Sequence, residues 1–288
     1  MLSNIRRIAV AKCAQDLITE LKIVSLPIEP IRIAMNRGIA VQSWKPIKKG
    51  VSGFLMKQGD SFGISYSSFI ENQGFMNFTV GHELGHYFLP GHVEKLFANG
   101  DGIHYSYSGF VSSEDCEKEA DVFSANLLMP EALVRKALRG CGEGFDAIEK
   151  LAGLCATSIT ATAIRFAEFS ENPVAIFVSE GGRIDFCCLS DALRQRQGLT
   201  WPKKGDFISD SSETARFQKV ADNISGGKKA NAFTTLDEWI EGAPQLEVKE
   251  DVIGLGHYGK TLTVLFSDEA LDEAEDEDDG EWKPRWER

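Results

Sequence analysis

At 288 residues, 43% apolar and 26% charged, the chain has the composition of a globular protein long enough to bury a large core in one or two domains. Its formal net charge is −12, but ten of the 43 acidic residues fall between Asp268 and Glu281, and the 33 that remain nearly balance 31 basic ones. The body is therefore close to neutral, which speaks against a broad basic face for nucleic acid, and no run approaches the ~18 apolar residues of a membrane span.

The opening MLSNIRRIAVAKCAQDL has its apolar run broken by Lys12 and Asp16 and does not read as a signal peptide. Six cysteines are scattered without a C-x-x-C pair, so reduced thiols and a cytoplasmic location are the expectation. Residues 4–22 read as a helix, with Ile5, Ile8, Ala9, Cys13, Leu17 and Leu21 at helical spacing and Pro27 and Pro30 beyond it. A second short helix follows over Pro30 to Arg37. Ile39 to Trp44, Gly53 to Lys57 and Ser61 to Tyr66 then read as short strands separated by turn residues. Thr79 to Leu89, TVGHELGHYFL, reads as a helix ended by Pro90-Gly91, with Gly81 and Gly85 forming a smooth strip where another backbone can approach. His92 to Ser113 reads as a long loop, a lid or substrate wall rather than a connector.

Ser113 to Met129 reads as the next helix, with Ser113 as N-cap and Cys116, Ala120, Phe123, Leu127 and Leu128 on its buried side. Ala147 to Phe169 has a helix-turn-helix rhythm but few basic residues, and a packing role is the expectation over DNA contact. From Pro173 a hairpin turning at Gly181-Gly182 and a closing strand, Thr261 to Phe266, frame a smaller unit with one helical piece near Leu236 to Ile240. The predicted fold class is α+β: a zincin-like catalytic domain at 1–135, a helix-turn-helix-like segment at 136–171, an α+β domain at 172–266 and a disordered acidic tail at 267–288.

The chemistry centres on His82-Glu83-Leu84-Gly85-His86. On a helix the two histidines, four apart, share a face and can grip one metal ion, while Glu83 reaches a water there as general base. A catalytic zinc site needs a third protein ligand and an open position. His92 stands at the metzincin spacing, but that pattern requires glycine where this chain has Leu89. Glu117 lies one turn from Asp121 on one face of the later helix, and Glu119 points roughly 160° away from it at 3.6 residues per turn. A carboxylate near the packed face is costly unless it is paired or binds metal, and Glu117 is preferred over Glu119 and His92. The arrangement Glu117 to Asp121 resembles the E-x-x-x-D of thermolysin-like gluzincins, in which the Glu binds zinc and the Asp orients a liganding histidine. His104, Tyr105 and Tyr107 are candidates to stabilise an oxyanion.

FTVGHELGHYF (78–88) and EKEADVFSANLLMP (117–130) together resemble the ImmA/IrrE family of bacterial metallo-endopeptidases, supported by GFLMKQGDSFGISY (53–66) and LGHYGKTLTVLF (255–266). The similarity covers residues 1–170 and thins beyond. The resemblance implies a cytoplasmic zinc protease that cuts a helix-turn-helix transcriptional repressor, switching on mobile-element or stress genes. It carries zinc ligation to His82, His86 and Glu117 and the base role to Glu83, with Mn²⁺ or another divalent ion as a substitute metal. The competing reading is a metal-bearing regulator that sequesters such a partner without cutting it. A peptide substrate is expected to add to a sheet edge at residues 53–66.

Overall fold

A helix buried almost all round organises the first unit, Met1–Phe166, of the computed structural model, which describes residues 2–45, 50–68, 72–107 and 115–269. Before it come α1 (Asn4–Glu20), α2 (Pro30–Asn36) and the strands β1 (Ala40–Trp44), β2 (Val51–Gln58) and β3 (Ser61–Ser67). The central helix is α3 (Gln73–Phe88), followed by α4 (His92–Leu96), β4 (Gly102–Tyr107), α5 (Asp115–Leu128), α6 (Glu131–Leu138), α7 (Gly144–Cys155) and α8 (Ile159–Phe169). The architecture is α+β. The sheet order is β1-β3-β2-β4, with β1 parallel to β3 and the other pairs antiparallel.

Asn72 caps α3 by accepting from the Phe75 amide, and every residue from Thr79 to His86 is buried. Val80 and Leu84 pack into a core with Leu55 and Ile64 of the sheet and Phe123 and Leu127 of α5. Its polar residues are therefore held in the interior, where each must find a partner or do chemistry.

Two expectations are corrected here. His92 to Ser113 is not a long loop: its described part holds α4 and β4, and β4 pairs antiparallel with β2 from Val51↔Tyr107 to Lys57↔Gly102. The glycine, serine and tyrosine content of GIHYSY hid an alternating strand. For the same reason the 53–66 edge is not free. β2 lies between β3 and β4, β3 lies between β1 and β2, and β1 and β4 are the edges among the described residues. In α1 the packed residues are Val10, Ala14, Leu17 and Ile18, whereas Ile5 and Ile8 are exposed. That helix has apolar residues on most sides, so its period alone could not select the face that packs.

The helix pair α7 and α8 is bent by 115°, with Ala156 between them in the left-handed region. Its turn is docked on α3. Asn77 Nδ2 donates to the Ala156 carbonyl at 2.9 Å, and a Cβ at Gly74 would fall 2.5 Å from the Ser158 amide nitrogen. Among the described residues no single helix is long and apolar enough to cross a membrane.

The second unit, Ala167–Arg288, is built on β5 (Val174–Glu180), β6 (Arg183–Leu189), β7 (Lys229–Thr235), β8 (Glu247–Gly254) and β9 (Thr261–Phe266), with short helices α9 (Asp191–Arg194), α10 (Glu213–Gln218) and α11 (Ala221–Ser225). The β5–β6 hairpin turns at Gly181 and Gly182, both at positive φ, as such two-residue turns require. The strand expected to close this unit, β9, instead lies between β5 and β8 in the order β6-β5-β9-β8-β7, antiparallel throughout. In that central place all six of its residues are buried, Thr261 and Thr263 included. The helical piece near Leu236 is a single 3₁₀ turn, Leu236–Glu238. The acidic stretch from residue 270 and the expected cap Ser113 lie outside the described residues.

Candidate metal centre

The site is a contact between α3 and α5. These helices run antiparallel and close together because α3 has no side chains where they cross. A Cβ at Gly85 would sit 3.0 Å from Ala120 Cα, and one at Gly81 would sit 2.5 Å from Ser124 Oγ. Ser124 Oγ in turn donates to the Phe78 carbonyl at 2.9 Å. Each glycine costs the helix about 1 kcal/mol relative to alanine. The return is an approach that brings the α5 carboxylates onto the α3 histidines.

Nε2 of His82 lies 3.3 Å from Glu117 Oε2, and Nε2 of His86 lies 3.2 Å from Glu117 Oε1. The two Nε2 atoms are 3.1 Å apart. His82, His86 and Glu117 each offer one ligand atom, all within 4.8 Å of one another, and can hold a metal ion. The Nδ1 atoms point away: His82 Nδ1 meets Asp121 Oδ1 at 2.8 Å and His86 Nδ1 meets His92 Nδ1 at 3.1 Å. Two imidazoles and a carboxylate, with the far ring nitrogens held by other groups, form a donor set suited to zinc.

Glu83 follows His82 but faces elsewhere. It is fully buried, and neither carboxylate oxygen has a hydrogen-bond partner among the described residues. Room for it comes from Gly53 on β2, where a Cβ would fall 3.3 Å from Glu83 Oε1 and 2.5 Å from Thr79 Cγ2. Burial pushes its carboxyl up to about 7, only partly offset by nearby His82, Ser106 and His104. Among the described residues Ser106 Oγ is also without a hydrogen-bond partner, and it lies close to that carboxyl.

The neighbouring groups are held in opposite senses. Burial favours neutral His82, but hydrogen bonds to Asp121 and Glu117 outweigh it and raise that ring to about 10. Burial lowers His86 to about 4. Burial also works against an ionised Glu117, yet the surrounding imidazoles of His104, His82 and His86 bring its carboxyl well below the ordinary range. The cluster thus contains one carboxylate held ionised and one, Glu83, poised to take a proton.

The other two candidates for third ligand lie behind His86. His92 is buried in α4, its Nε2 3.0 Å from Glu119 Oε2, and Glu119 is held by Arg6 at 2.7 and 2.8 Å. Glu119 is more buried than Glu117, with side chains 6% and 15% exposed. It faces His92 and Arg6 because it is two residues, more than half a helical turn, from Glu117. Of the three residues suggested for an oxyanion, only His104 reaches the cluster, with Nε2 at 2.9 Å from Glu117 Oε1 and its ring centroid 4.8 Å from that of His86. On alternating strand β4, Tyr105 points the other way, its ring edge-on to Phe54 at 5.6 Å. The sequence offered one hint of the outer groups, the grouping of three of five histidines at 82, 86 and 92. It offered none for Arg6.

An H-E-x-x-H helix, a carboxylate from the next long helix and an edge strand beside them define a zincin-like, metallopeptidase-type domain. Residues 72–143 match the IrrE N-terminal-like domain, Peptidase_M78, which supports the resemblance of this stretch to the ImmA/IrrE family. A solved chain described as a Mycobacterium tuberculosis transcriptional regulator is similar in fold, with a TM-score of 0.53 and 12% identity over 90% of this chain and 75% of that one. Comparison with curated proteins gives no match.

Proposed function

We propose that this protein is a zinc-dependent endopeptidase that cleaves a helix-turn-helix transcriptional repressor in the cytoplasm and so relieves repression of mobile-element or stress genes. The observation that carries the peptidase reading is the pairing of two features in one place: three converging ligand atoms, and beside them a buried glutamate with no hydrogen-bond partner among the described residues. A carboxylate kept in that state costs stability and is retained where it handles a proton. The repressor as substrate rests on the family.

In this reading His82, His86 and Glu117 hold the ion, and Asp121 orients His82 through Nδ1. Bound zinc, or Mn²⁺ in its place, supplies the Lewis acidity that makes a water nucleophilic near neutral pH. Glu83 takes the proton of the attacking water and passes it to the leaving nitrogen. The substrate pairs along β4, whose edge is adjacent to the cluster through His104, rather than along residues 53–66. Antiparallel pairing there holds the peptide extended, with main-chain hydrogen bonds supplying affinity.

The test is cleavage of a purified small helix-turn-helix repressor, one encoded beside this chain, by the full-length protein and by Glu83→Gln. Mass spectrometry should show a single cut by the wild type and none by the variant, with the variant still retaining metal. Undiminished cleavage by Glu83→Gln contradicts the mechanism. Derepression that survives in that variant, with the partner still bound, would favour sequestration without cutting.

A further inference from the structure

Behind the metal centre runs a line of polar side chains that the proposed reaction does not use. It begins at Arg6, in the first two turns of α1, and ends on His86, eighty positions along the chain. We infer that Arg6, Glu119 and His92 are positioning residues that fix His86 in the tautomer with Nε2 free to bind metal, an inference that rests on the reading of the cluster as a metal centre.

The direction of each hydrogen bond can be worked out from the far end. Arg6 Nε donates to Glu119 Oε1 at 2.7 Å and Arg6 Nη2 donates to Oε2 at 2.8 Å. A carboxylate clamped by a guanidinium in this two-pronged way is ionised and can only accept. The atom 3.0 Å from Glu119 Oε2 is His92 Nε2, so that nitrogen must carry a hydrogen. His92 is 1% exposed, and a buried imidazole is favoured neutral, with one N–H only. Its Nδ1 is then an acceptor. That Nδ1 lies 3.1 Å from His86 Nδ1, so His86 Nδ1 must donate. One hydrogen is then accounted for on each ring, and the lone pair of His86 falls on Nε2. This is the atom 3.1 Å from His82 Nε2 and 3.2 Å from Glu117 Oε1. The other liganding ring is set in a single step, by Asp121 at 2.8 Å from His82 Nδ1.

The two histidines therefore differ in what orients them. His82 depends on a residue of α5 beside it. His86 depends on a relay through α4 and α5 that ends on an arginine whose side chain is 52% exposed. Docking of α1 is thereby built into the metal centre, which gives the first helix a part in the chemistry without touching metal or substrate.

Metal-free full-length protein with ¹⁵N-labelled histidine rings tests this by two-bond ¹H–¹⁵N correlation. The wild type should show hydrogen on Nδ1 of His86 and on Nε2 of His92. In Arg6→Gln the His86 pattern should become a mixture of both forms, and zinc affinity, read by competition with a chelator, should fall roughly 10–100-fold, the usual cost of losing an outer-shell partner. Arg6→Lys, which keeps the charge and loses the fork, should fall between the two. Arg6→Gln leaves Glu119, with its side chain 6% exposed, without its charged partner and should lower the unfolding temperature, whereas Arg6→Lys keeps the charge and should unfold close to the wild-type temperature. Hydrogen on Nε2 of His86 in the wild type, or an unchanged tautomer and affinity in both variants, overturns the inference. A wild type that binds no zinc would contradict the metal centre instead, while the ring pattern, measured without metal, still decides the relay.

Discussion

Two fully buried glutamates, one in each unit, show how differently the same side chain can be used. Glu83 on α3 is 0% exposed and has no hydrogen-bond partner for either oxygen among the described residues. Glu250 on β8 is also 0% exposed, but it accepts from the Glu213 amide at 3.0 Å, the Thr214 amide at 2.7 Å and Thr214 Oγ1 at 2.6 Å. It closes the N-terminus of α10, where backbone amides lack intrahelical partners and negative charge is favoured. Glu250 is therefore a structural carboxyl group, and Glu83 is the one proposed above to handle a proton. Burial alone does not distinguish them. The presence or absence of partners does.

The comparison is tested most sharply by making one isosteric change at both positions. Glu83→Gln should lower peptide cleavage by about 10²–10⁴-fold, the range for loss of a general base, while leaving the metal-free protein as stable as before or more so. Glu250→Gln should do the reverse. An amide cannot accept all three hydrogen bonds, and the loss should be on the order of 3 kcal/mol in denaturant unfolding of the second unit. A large stability loss in Glu83→Gln, or none in Glu250→Gln, would remove the distinction.

The closeness of α3 and α5 gives a smaller effect. Gly85→Ala gains about 1 kcal/mol of helix propensity but forces the Ala120 backbone to move. Overpacking should leave a net loss of about 1–2 kcal/mol. Metal affinity should fall along with it, because α5 also carries Glu117 and Asp121. Wild-type affinity in Gly85→Ala would show that the two helices can separate without disturbing the ligands.

The smallest effect belongs to an ion cluster of the second unit. Asp185 pairs with Lys204 and Lys260, and those two hydrogen-bonded ammonium groups lower its carboxyl below the ordinary value. A depressed folded pKa gives stability that is present above the unfolded value of about 3.9 and lost as pH falls through the lower folded value. Asp185→Asn should therefore cost at most about 1 kcal/mol at pH 7, since Lys204 is exposed and screened, and the difference from wild type should vanish in acid. A cost that grows as the pH is lowered would contradict the pairing.

Much of the centre was legible in sequence because its parts are local. H-E-x-x-H has meaning on one helix, Glu117 and Asp121 are one turn apart on another, and the glycine strip announced a close neighbour. Long-range partners left no such trace. Nothing in the N-terminal sequence marks Arg6 as the partner of Glu119, and Glu119 appeared farther from the packed side than it is, because packing by α1 and α4 is a tertiary fact. β4 was missed because its alternation runs through serine, tyrosine and histidine rather than aliphatic residues. The helix α1 was readable from its spacing, but a helix apolar on most sides does not name its buried face. In the second unit the Gly181-Gly182 hairpin was readable from its turn, whereas the central place of β9 depends on pairing across most of that unit.

The central claim is that α3 and α5 together form one metal centre, and equilibrium zinc titration of the metal-free full-length chain tests it most directly. The account predicts one ion per chain. Replacing Glu117 by alanine should weaken that binding by more than the roughly 10–100-fold cost of losing an outer-shell partner. Equal affinity in wild type and Glu117→Ala would mean that the third ligand lies elsewhere, and the two-helix centre would have to be abandoned.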